Sequence, residues 1–357
     1  MREAIQTPAD VDQVGTQLLT IRRIHGEVIP SAHDENHLRR VSLGTQLVGD
    51  LYGFTPREKL LASTTAWLHA RVRNPTEDPR ADDNNASARE AKRTLENLLN
   101  QGAFTTLPEE RNAVAFAIKR QTTIPHWLED PATREHEPLT LDGKLWFALF
   151  VADKIEENGS WVIARRSSFV AGSRLQSPQG DLYHRLSLGE KAAAVAEETM
   201  LRLAFLNPQY IYPQRLQPLV EPLYKVQREF ANAACRAAGY SVRTMAAHLL
   251  ETQESDRYNI LQRRNIVAPD TEDALWDYME KVTGMDYDTI YPASSEAAIG
   301  VIFAIEHFAN RHTDDLDTTI LEWEPVGDTA ERWKEGMLDY MSGAWFNTVR
   351  RKLGVVS

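Results

Sequence analysis

The sequence predicts an all-α protein, and two observations carry this prediction. Apolar residues recur at spacings of three and four along most of the 357-residue chain, as they do on the buried face of an amphipathic helix. The alternation of apolar and polar residues between Asn-Gly or Asp-Gly turns that indicates paired strands is missing from the sequence. We therefore expect helices to build the core.

The first helices have clear start signals. Thr7 can act as the N-cap of a helix in which Pro8 takes the first position. The same device recurs at Thr55 and Pro56, where Glu58 completes a capping box. Both segments lead into apolar residues with helical spacing, so we predict helices that begin at these two places.

Segments rich in Pro, Gly, Asn and Asp separate the helical patterns. We predict loops at residues 71–85, 122–140, 173–185 and 206–218. Loops of this length in a compact domain often line a functional site.

The C-terminal part changes character, and we divide the chain into a helical domain at residues 1–225 and a helical extension at residues 226–357. The segment from Tyr224 to Thr252 reads as one long helix. A second helical pattern follows near the C-terminus, with Gly354 placed to end it. Its apolar stripe consists of Trp333, Met337, Met341, Trp345, Val349 and Leu353. We expect this stripe to be core; the alternatives are a groove for a cofactor or partner and a surface for self-association.

Composition restricts the classes of function. The net charge of -11 argues against nucleic acid as a general partner, because binding to a phosphate backbone needs clustered cations. The most apolar run, residues 145–152, is too short to span a bilayer, and the N-terminus has no export signal. The single cysteine, Cys235, cannot form an internal disulfide and fits a buried position in a cytoplasmic protein.

Three residues stand out as candidate metal ligands. His37 lies four residues after His33 and three before Arg40, so the three share one face of a helix. His69 ends an apolar helical segment. Asp153 ends the most apolar segment of the chain, where an unpaired carboxylate would be costly to bury. Each residue alone also fits a structural role, and it is their order and context that point to a shared site.

These segments resemble the HD-domain superfamily of metal-dependent phosphohydrolases, most closely the small stand-alone bacterial members. The resemblance covers roughly residues 15–230 and rests on HDENHLRRVSLGTQLV, EKLLASTTAWLHA, NASAREAKRTLENLL and VADKIEENGSWVIARR, in that order. It implies a helical bundle of the HD type in which His37, His69 and Asp153 bind a divalent metal ion. The metals to expect are Mn, Fe, Ni, Zn, Co or Mg.

The sequence departs from the family pattern at the ligands themselves. Ala70 stands where the family has the aspartate of the HD pair, and Val151 replaces the first aspartate of a family DAD motif. Lys119, Arg120 and Gln121 lie where relatives often have a histidine. Substitute ligands could come from His33, Asp34, Asp82 and Asp83.

Cationic residues concentrate in the matched segments and suggest an anionic substrate. Arg40 and Lys154 are the predicted catalytic cations, because they lie nearest the candidate ligands. The further phosphate-binding candidates are Arg71, Arg73, Arg165, Arg166 and Arg174.

Three functions follow from these patterns. The first is a metal-dependent phosphohydrolase for a nucleotide or another small phosphate ester. The second is an HD-like domain that no longer hydrolyses and binds a nucleotide or protein partner in a regulatory role. The third, less favoured, is a metal-dependent oxygenase on the same fold, whose chemistry usually needs more His and Asp ligands.

Overall fold

The computed structural model describes residues 5–24, 35–70, 83–123, 125–129, 140–175, 186–206, 208, 212–239, 295–309 and 316–354. Every regular element in these ranges is a helix. The all-α prediction is therefore confirmed for the part of the chain that is described. None of the described helices combines the length and the apolar character needed to cross a membrane.

The chain forms two compact units, which are described separately. Unit 1 comprises Met1–Glu156 and Tyr340–Ser357, and unit 2 comprises Glu157–Asp339. The predicted boundary between residues 225 and 226 falls inside the continuous helix Gln217–Ala238. The units are clusters of contacts and do not test independent folding, so the predicted division into two domains stays a prediction.

The described part of unit 1 is a bundle of helices. Its helices are α1 (Pro8–Ile24), α2 (Glu35–Leu51), α3 (Pro56–Leu68), α4 (Asp83–Asn100), α5 (Pro108–Lys119), the short α6 (His126–Glu129), α7 (Leu141–Glu156) and the C-terminal Ala344–Lys352. Helix α2 packs extensively against both α3 and α7, while α5 covers α7 and α4. The centre of α7 is buried on all sides, which explains why the run at residues 145–152 is apolar without interruption.

Both predicted helix starts are confirmed. Helix α1 begins at Pro8, and the backbone N–H of Asp10 donates to Thr7 Oγ1 at 3.3 Å. Helix α3 begins at Pro56 with both hydrogen bonds of a capping box. Glu58 N–H donates to Thr55 Oγ1 at 3.2 Å, and Thr55 N–H donates to Glu58 Oε2 at 2.8 Å. These caps set the position of α3, whose last turn leads to His69.

A glycine lets α2 and α7 approach closely. A Cβ atom added at Gly44 would lie 2.8 Å from the Cβ of Ala152, closer than side-chain atoms approach in real structures. Only glycine therefore fits at this point of α2 without a shift of α7. The close approach brings the N-terminal end of α2, which carries His37, alongside the C-terminal turn of α7.

Unit 2 contains a second group of packed helices. They are α8 (Trp161–Leu175), α9 (Leu188–Leu206), α10 (Gln217–Ala238), α11 (Ser295–Ala309), α12 (Leu316–Glu322) and α13 (Asp328–Met341), whose last two residues belong to unit 1. Helix α10 packs against α9 and α11, and α11 packs against α8. Cys235 is buried on α10, as predicted, and burial raises the pKa of its thiol to about 12.

The long helix predicted in the C-terminal part has different bounds in the structure. The helix predicted from Tyr224 to Thr252 begins earlier, at Gln217, and ends at Ala238. Gly239 follows it with a φ of 75°, a left-handed conformation that ends the helix. Residues 240–252 lie outside the described part of the chain.

The C-terminal apolar stripe is divided between two helices. Gly343 has a φ of 72° and separates α13 from α14 (Ala344–Lys352), so the four-residue spacing does not continue through a single helix. Trp333, Met337 and Val349 are buried, which confirms the core prediction for them. The other three stripe residues, Met341, Trp345 and Leu353, are half-buried. Gly354 follows α14 with a positive φ, as predicted.

The predicted loops are shorter than expected where they are described. Helix α4 begins at Asp83, the short α6 lies within 122–140, α8 extends to Leu175, and α10 begins at Gln217. Much of the remainder of the four segments lies outside the described residues. At the starts of α4 and α10 the cause is that Asn, Asp and Pro are also favoured in the first turn of a helix.

Candidate metal centre

The three predicted metal ligands meet inside unit 1. His37 is the third residue of α2, His69 directly follows α3, and Asp153 lies in the last turn of α7. The two histidine Nε2 atoms are 3.2 Å apart. Asp153 Oδ1 lies 3.9 Å from His37 Nε2 and 4.0 Å from His69 Nε2. All three residues are buried.

The size of this triangle fits a metal ion. A point equidistant from the three ligand atoms lies about 2.2 Å from each of them, close to the ~2.0–2.2 Å bonds that zinc makes to His and Asp. A larger triangle would require the side chains to move before all three could bind one ion. The described atoms are therefore already spaced for metal binding.

Hydrogen bonds on the outer side of both rings orient the imidazoles. His69 Nδ1 lies 2.6 Å from the backbone oxygen of Ala66. A carbonyl oxygen only accepts hydrogen bonds, so the proton of the neutral ring is on Nδ1 and the lone pair is on Nε2. His37 Nδ1 hydrogen-bonds in the same way to the carboxylate oxygen Oε2 of Glu156. Both Nε2 lone pairs therefore point into the triangle.

Two facing lone pairs at this distance need a positive charge between them. With both Nδ1 atoms protonated, neither neutral imidazole has an Nε2 proton to donate to the other across 3.2 Å. A metal ion bound by both rings, or a proton shared between them, removes the repulsion. Asp153 Oδ1 adds negative charge at the same point, which favours a divalent ion over a single proton.

Glu156 is the member of this centre that sequence reasoning missed. Its side chain is completely buried, and its other oxygen, Oε1, accepts a hydrogen bond of 2.6 Å from Arg40 Nε. The signal that could have found it is helical spacing. Glu156 follows Asp153 by three residues on α7, and Arg40 follows His37 by three residues on α2, so each pair shares one face of its helix.

The two predicted catalytic cations both lie at the centre. Lys154 is buried, and its Nζ donates to Asp153 Oδ2 at 3.1 Å, whereas the two histidines face Oδ1. Arg40 donates to Glu156, and its guanidinium carbon is 6.0 Å from the centre of the Tyr340 ring. Direct contact of either cation with a phosphate group stays a prediction.

Helix α1 ties together the two helices that supply the histidines. One carboxylate oxygen of Asp12 accepts hydrogen bonds from Trp67 Nε1 on α3 at 2.5 Å and from Ser42 Oγ on α2 at 3.1 Å. Burial raises the pKa of the Asp12 carboxyl, while these two hydrogen bonds oppose the rise. The arrangement restrains the separation of α2 and α3, and with it the distance between His37 and His69.

Ala70 and Val151, two of the positions where the sequence departs from the pattern that it resembles, are buried and supply no carboxylate. Ala70 directly follows His69 and is 4% exposed. Val151 is completely buried on α7. Gln121 donates from Nε2 to Asn84 Oδ1 at 2.6 Å, and the Arg120 guanidinium lies over the Phe116 ring. These contacts give Gln121 and Arg120 structural roles in unit 1.

The remaining candidates either belong to unit 2 or lie outside the described part of the chain. Arg165 and Arg166 are buried on α8 in unit 2, where Arg166 bonds to Glu157 and Glu198 at 3.3 Å each. Five candidates lie outside the described residues: His33, Asp34, Arg71, Arg73 and Asp82. Asp83 and Arg174 lie on helices, but their side chains are outside the described part. Their predicted roles stay predictions.

Comparisons with protein-family models, with curated proteins and with solved structures found no match to this chain.

Proposed function

We propose that the chain is a divalent-metal-dependent phosphohydrolase that acts on a nucleotide or another small phosphate ester. The observation that carries the proposal is the convergence of His37 Nε2, His69 Nε2 and Asp153 Oδ1 within bonding distance of one point. Three protein ligands are typical of catalytic metal sites, because they leave a coordination position for water or substrate. A structural zinc site usually has four protein ligands.

The donor atoms favour particular metals. Imidazole nitrogens suit zinc, iron, nickel and cobalt, whereas magnesium prefers oxygen ligands and retains several waters. We expect manganese, which accepts both donor types, to bind more weakly than zinc. A bound ion of this class polarises a phosphoryl oxygen and lowers the pKa of a water.

The protein groups around the triangle fit an anionic substrate. The Lys154 ammonium is held beside Asp153 in a buried position, where its charge is weakly screened. It can offset negative charge that develops on a phosphoryl group at the centre. Arg40 acts differently, since its Nε donates to Glu156, and we assign it a positioning role.

A second function is favoured by a specific observation at position 70. The family resemblance implies a carboxylate next to His69, and the chain has the buried methyl group of Ala70 there. Loss of a ligand weakens both metal affinity and activation of water. The second candidate is therefore a regulatory domain that binds a metal ion with a nucleotide or partner and does not hydrolyse it.

One experiment separates these functions. The purified protein is loaded with zinc, cobalt, manganese or magnesium and assayed for phosphate release from p-nitrophenyl phosphate and from nucleoside mono-, di- and triphosphates. We expect release that depends on metal, is lost in His69→Ala, and survives in His307→Ala. His307 is the matched control because its imidazole bonds to Thr319 O in unit 2.

The alternative outcomes are equally definite. Nucleotide binding without phosphate release by the metal-loaded protein would overturn hydrolysis and support the regulatory function. Oxygen consumption by the iron-loaded protein would support the oxygenase and would mean that two histidines and one carboxylate suffice for it, as they do in other non-haem iron oxygenases. Phosphate release that is unchanged in His69→Ala would show that the activity does not come from this centre.

A further inference from the structure

We propose that Glu156, held by Arg40, is a positioning residue that orients His37 and strengthens metal binding at the centre. The inference rests on the metal site of the proposed function, but it does not depend on hydrolysis. Both oxygens of the Glu156 carboxylate have directed partners. Oε2 accepts from His37 Nδ1, and Oε1 accepts from Arg40 Nε at 2.6 Å.

The cost of burying these charges indicates that they have a purpose beyond packing. Glu156 is completely buried and Arg40 is 3% exposed. Moving a carboxylate and a guanidinium out of water costs several kcal/mol, and well-packed apolar residues often give equal or greater stability at such positions. The run of α7 at residues 145–152 is apolar without interruption, and charged residues resume only in the last turn. The fold alone therefore does not require a glutamate at the end of this helix.

Glu156 acts on one ligand atom of the centre, Nε2 of His37. A carboxylate that accepts a hydrogen bond from Nδ1 keeps the proton there and makes the opposite Nε2 a stronger donor to a metal ion. His69 has a weaker partner, because the Ala66 carbonyl that accepts from its Nδ1 is neutral. The two imidazoles thus differ, and His37 is the one whose donor strength depends on a charged neighbour.

Arg40 fixes the carboxylate in turn. Its Nε–H donates a hydrogen bond to Oε1 of Glu156, and this leaves Oε2 directed at His37. Ligand and support share the same two helices. Helix α2 supplies His37 and Arg40, and α7 supplies Asp153 and Glu156. These two helices therefore hold two of the three ligands together with the groups that orient His37.

The test uses the metal alone as the probe. Affinity for Co²⁺ and Zn²⁺ is measured by competition with a chelator in the wild-type protein, Glu156→Gln and Glu156→Leu. Glutamine keeps the shape and an acceptor oxygen for Nδ1 but removes the charge. We expect Glu156→Gln to bind about 10- to 100-fold more weakly. Leucine removes both features and should weaken binding further.

Glu110→Gln is the matched control. Glu110 is a buried glutamate of unit 1 that is also bonded to an arginine, since Arg57 donates to its two oxygens at 2.6 and 2.8 Å. Its substitution should leave metal affinity within twofold of the wild type. The visible absorption spectrum of bound Co²⁺ should shift in Glu156→Gln and not in Glu110→Gln, a readout that loss of stability alone would not move.

A folding defect in Glu156→Gln does not prevent the test. Circular dichroism of the metal-free proteins identifies such a defect, and Arg40→Gln then provides the second variant. This variant keeps the Glu156 carboxylate but removes the hydrogen bond from Arg40 that orients it. We expect metal affinity to fall less than tenfold and the Co²⁺ spectrum to shift.

Each outcome either supports or overturns the inference. Wild-type affinity and an unchanged spectrum in Glu156→Gln, with metal bound by the wild type, would overturn the role of Glu156 alone. A wild-type protein that binds neither Co²⁺ nor Zn²⁺ would overturn both this inference and the metal centre of the proposed function.

Discussion

Each unit contains a largely buried cluster of charged and polar side chains, and the two clusters differ in what their atoms face. In unit 1 the imidazoles of His37 and His69 and the carboxylate of Asp153 converge on one point. In unit 2 the guanidinium of Arg166 lies between the carboxylates of Glu157 and Glu198, at 3.3 Å from each. Both clusters contain cations bonded to carboxylates, but only in the first do two histidine nitrogens and a carboxylate oxygen also face one shared point.

The difference shows which feature of a buried polar cluster points to a ligand. Burial of charge is common to both clusters, so it does not distinguish a binding site from a structural ion pair. An arginine is always protonated and satisfies its carboxylate partners without any added ion. The two imidazoles donate from Nδ1 to acceptor oxygens, and their Nε2 atoms face each other and Asp153 Oδ1. Convergence of lone pairs is therefore the more specific signal.

The largest expected effect comes from breaking the cluster of unit 2. Arg166→Leu leaves two carboxylates without their shared cation, and loss of one partner of a buried pair typically costs about 3–5 kcal/mol. Urea unfolding of the metal-free protein measures this cost. Arg93→Leu removes an exposed arginine and is the control, with an expected change below about 0.5 kcal/mol. A loss of stability in Arg166→Leu no greater than in this control would contradict the structural role.

The next largest effect concerns metal binding in unit 1. His69→Ala and Asp153→Ala each remove one of three ligands, so we expect each to lower metal affinity by more than about 100-fold. Metal content after dialysis and competition with a chelator give the measurement. The loss of affinity should exceed any effect on the unfolding of the metal-free protein. Unchanged metal content in both variants would show that these residues are not ligands.

The smallest effect sharpens the comparison at position 70. Ala70→Asp places a carboxylate next to His69, where the resemblance implies a further ligand. We expect metal affinity to rise about tenfold, because an added anionic ligand strengthens binding of a divalent ion. Ala70→Asn is the uncharged control and should give a smaller rise. Weaker binding by Ala70→Asp would show that this position does not face the centre.

The sequence predicted the parts of the structure that depend on local chemistry. The caps at Thr7 and Thr55 were visible because capping requires particular residues at fixed positions. The trio of His37, His69 and Asp153 was found from the order and context of three segments. The structure then brings the three together by means that the sequence pattern did not reveal, such as the contact of Gly44 with Ala152.

What the sequence did not predict depends on contacts between distant segments. Glu156 looked like an ordinary charged residue near a helix end, and only its contacts with His37 and Arg40 identify its place. The two carboxylate partners of Arg166 were likewise not visible in the sequence, and its predicted phosphate-binding role stays a prediction. The break at Gly343 was hidden because the four-residue spacing continues across it. The spacing of apolar residues predicts which residues share one face of a helix. It does not predict which residues of other segments their side chains contact.

The most direct test of the metal centre is elemental analysis of the protein purified without added metal, beside His37→Ala. We expect about one equivalent of a transition metal in the wild type, on the basis of three ligands around one point, and its loss in the variant. Incubation with zinc, iron, nickel or manganese before dialysis covers loss during purification. The absence of metal from both proteins after that incubation, or equal metal content in both, would contradict the account.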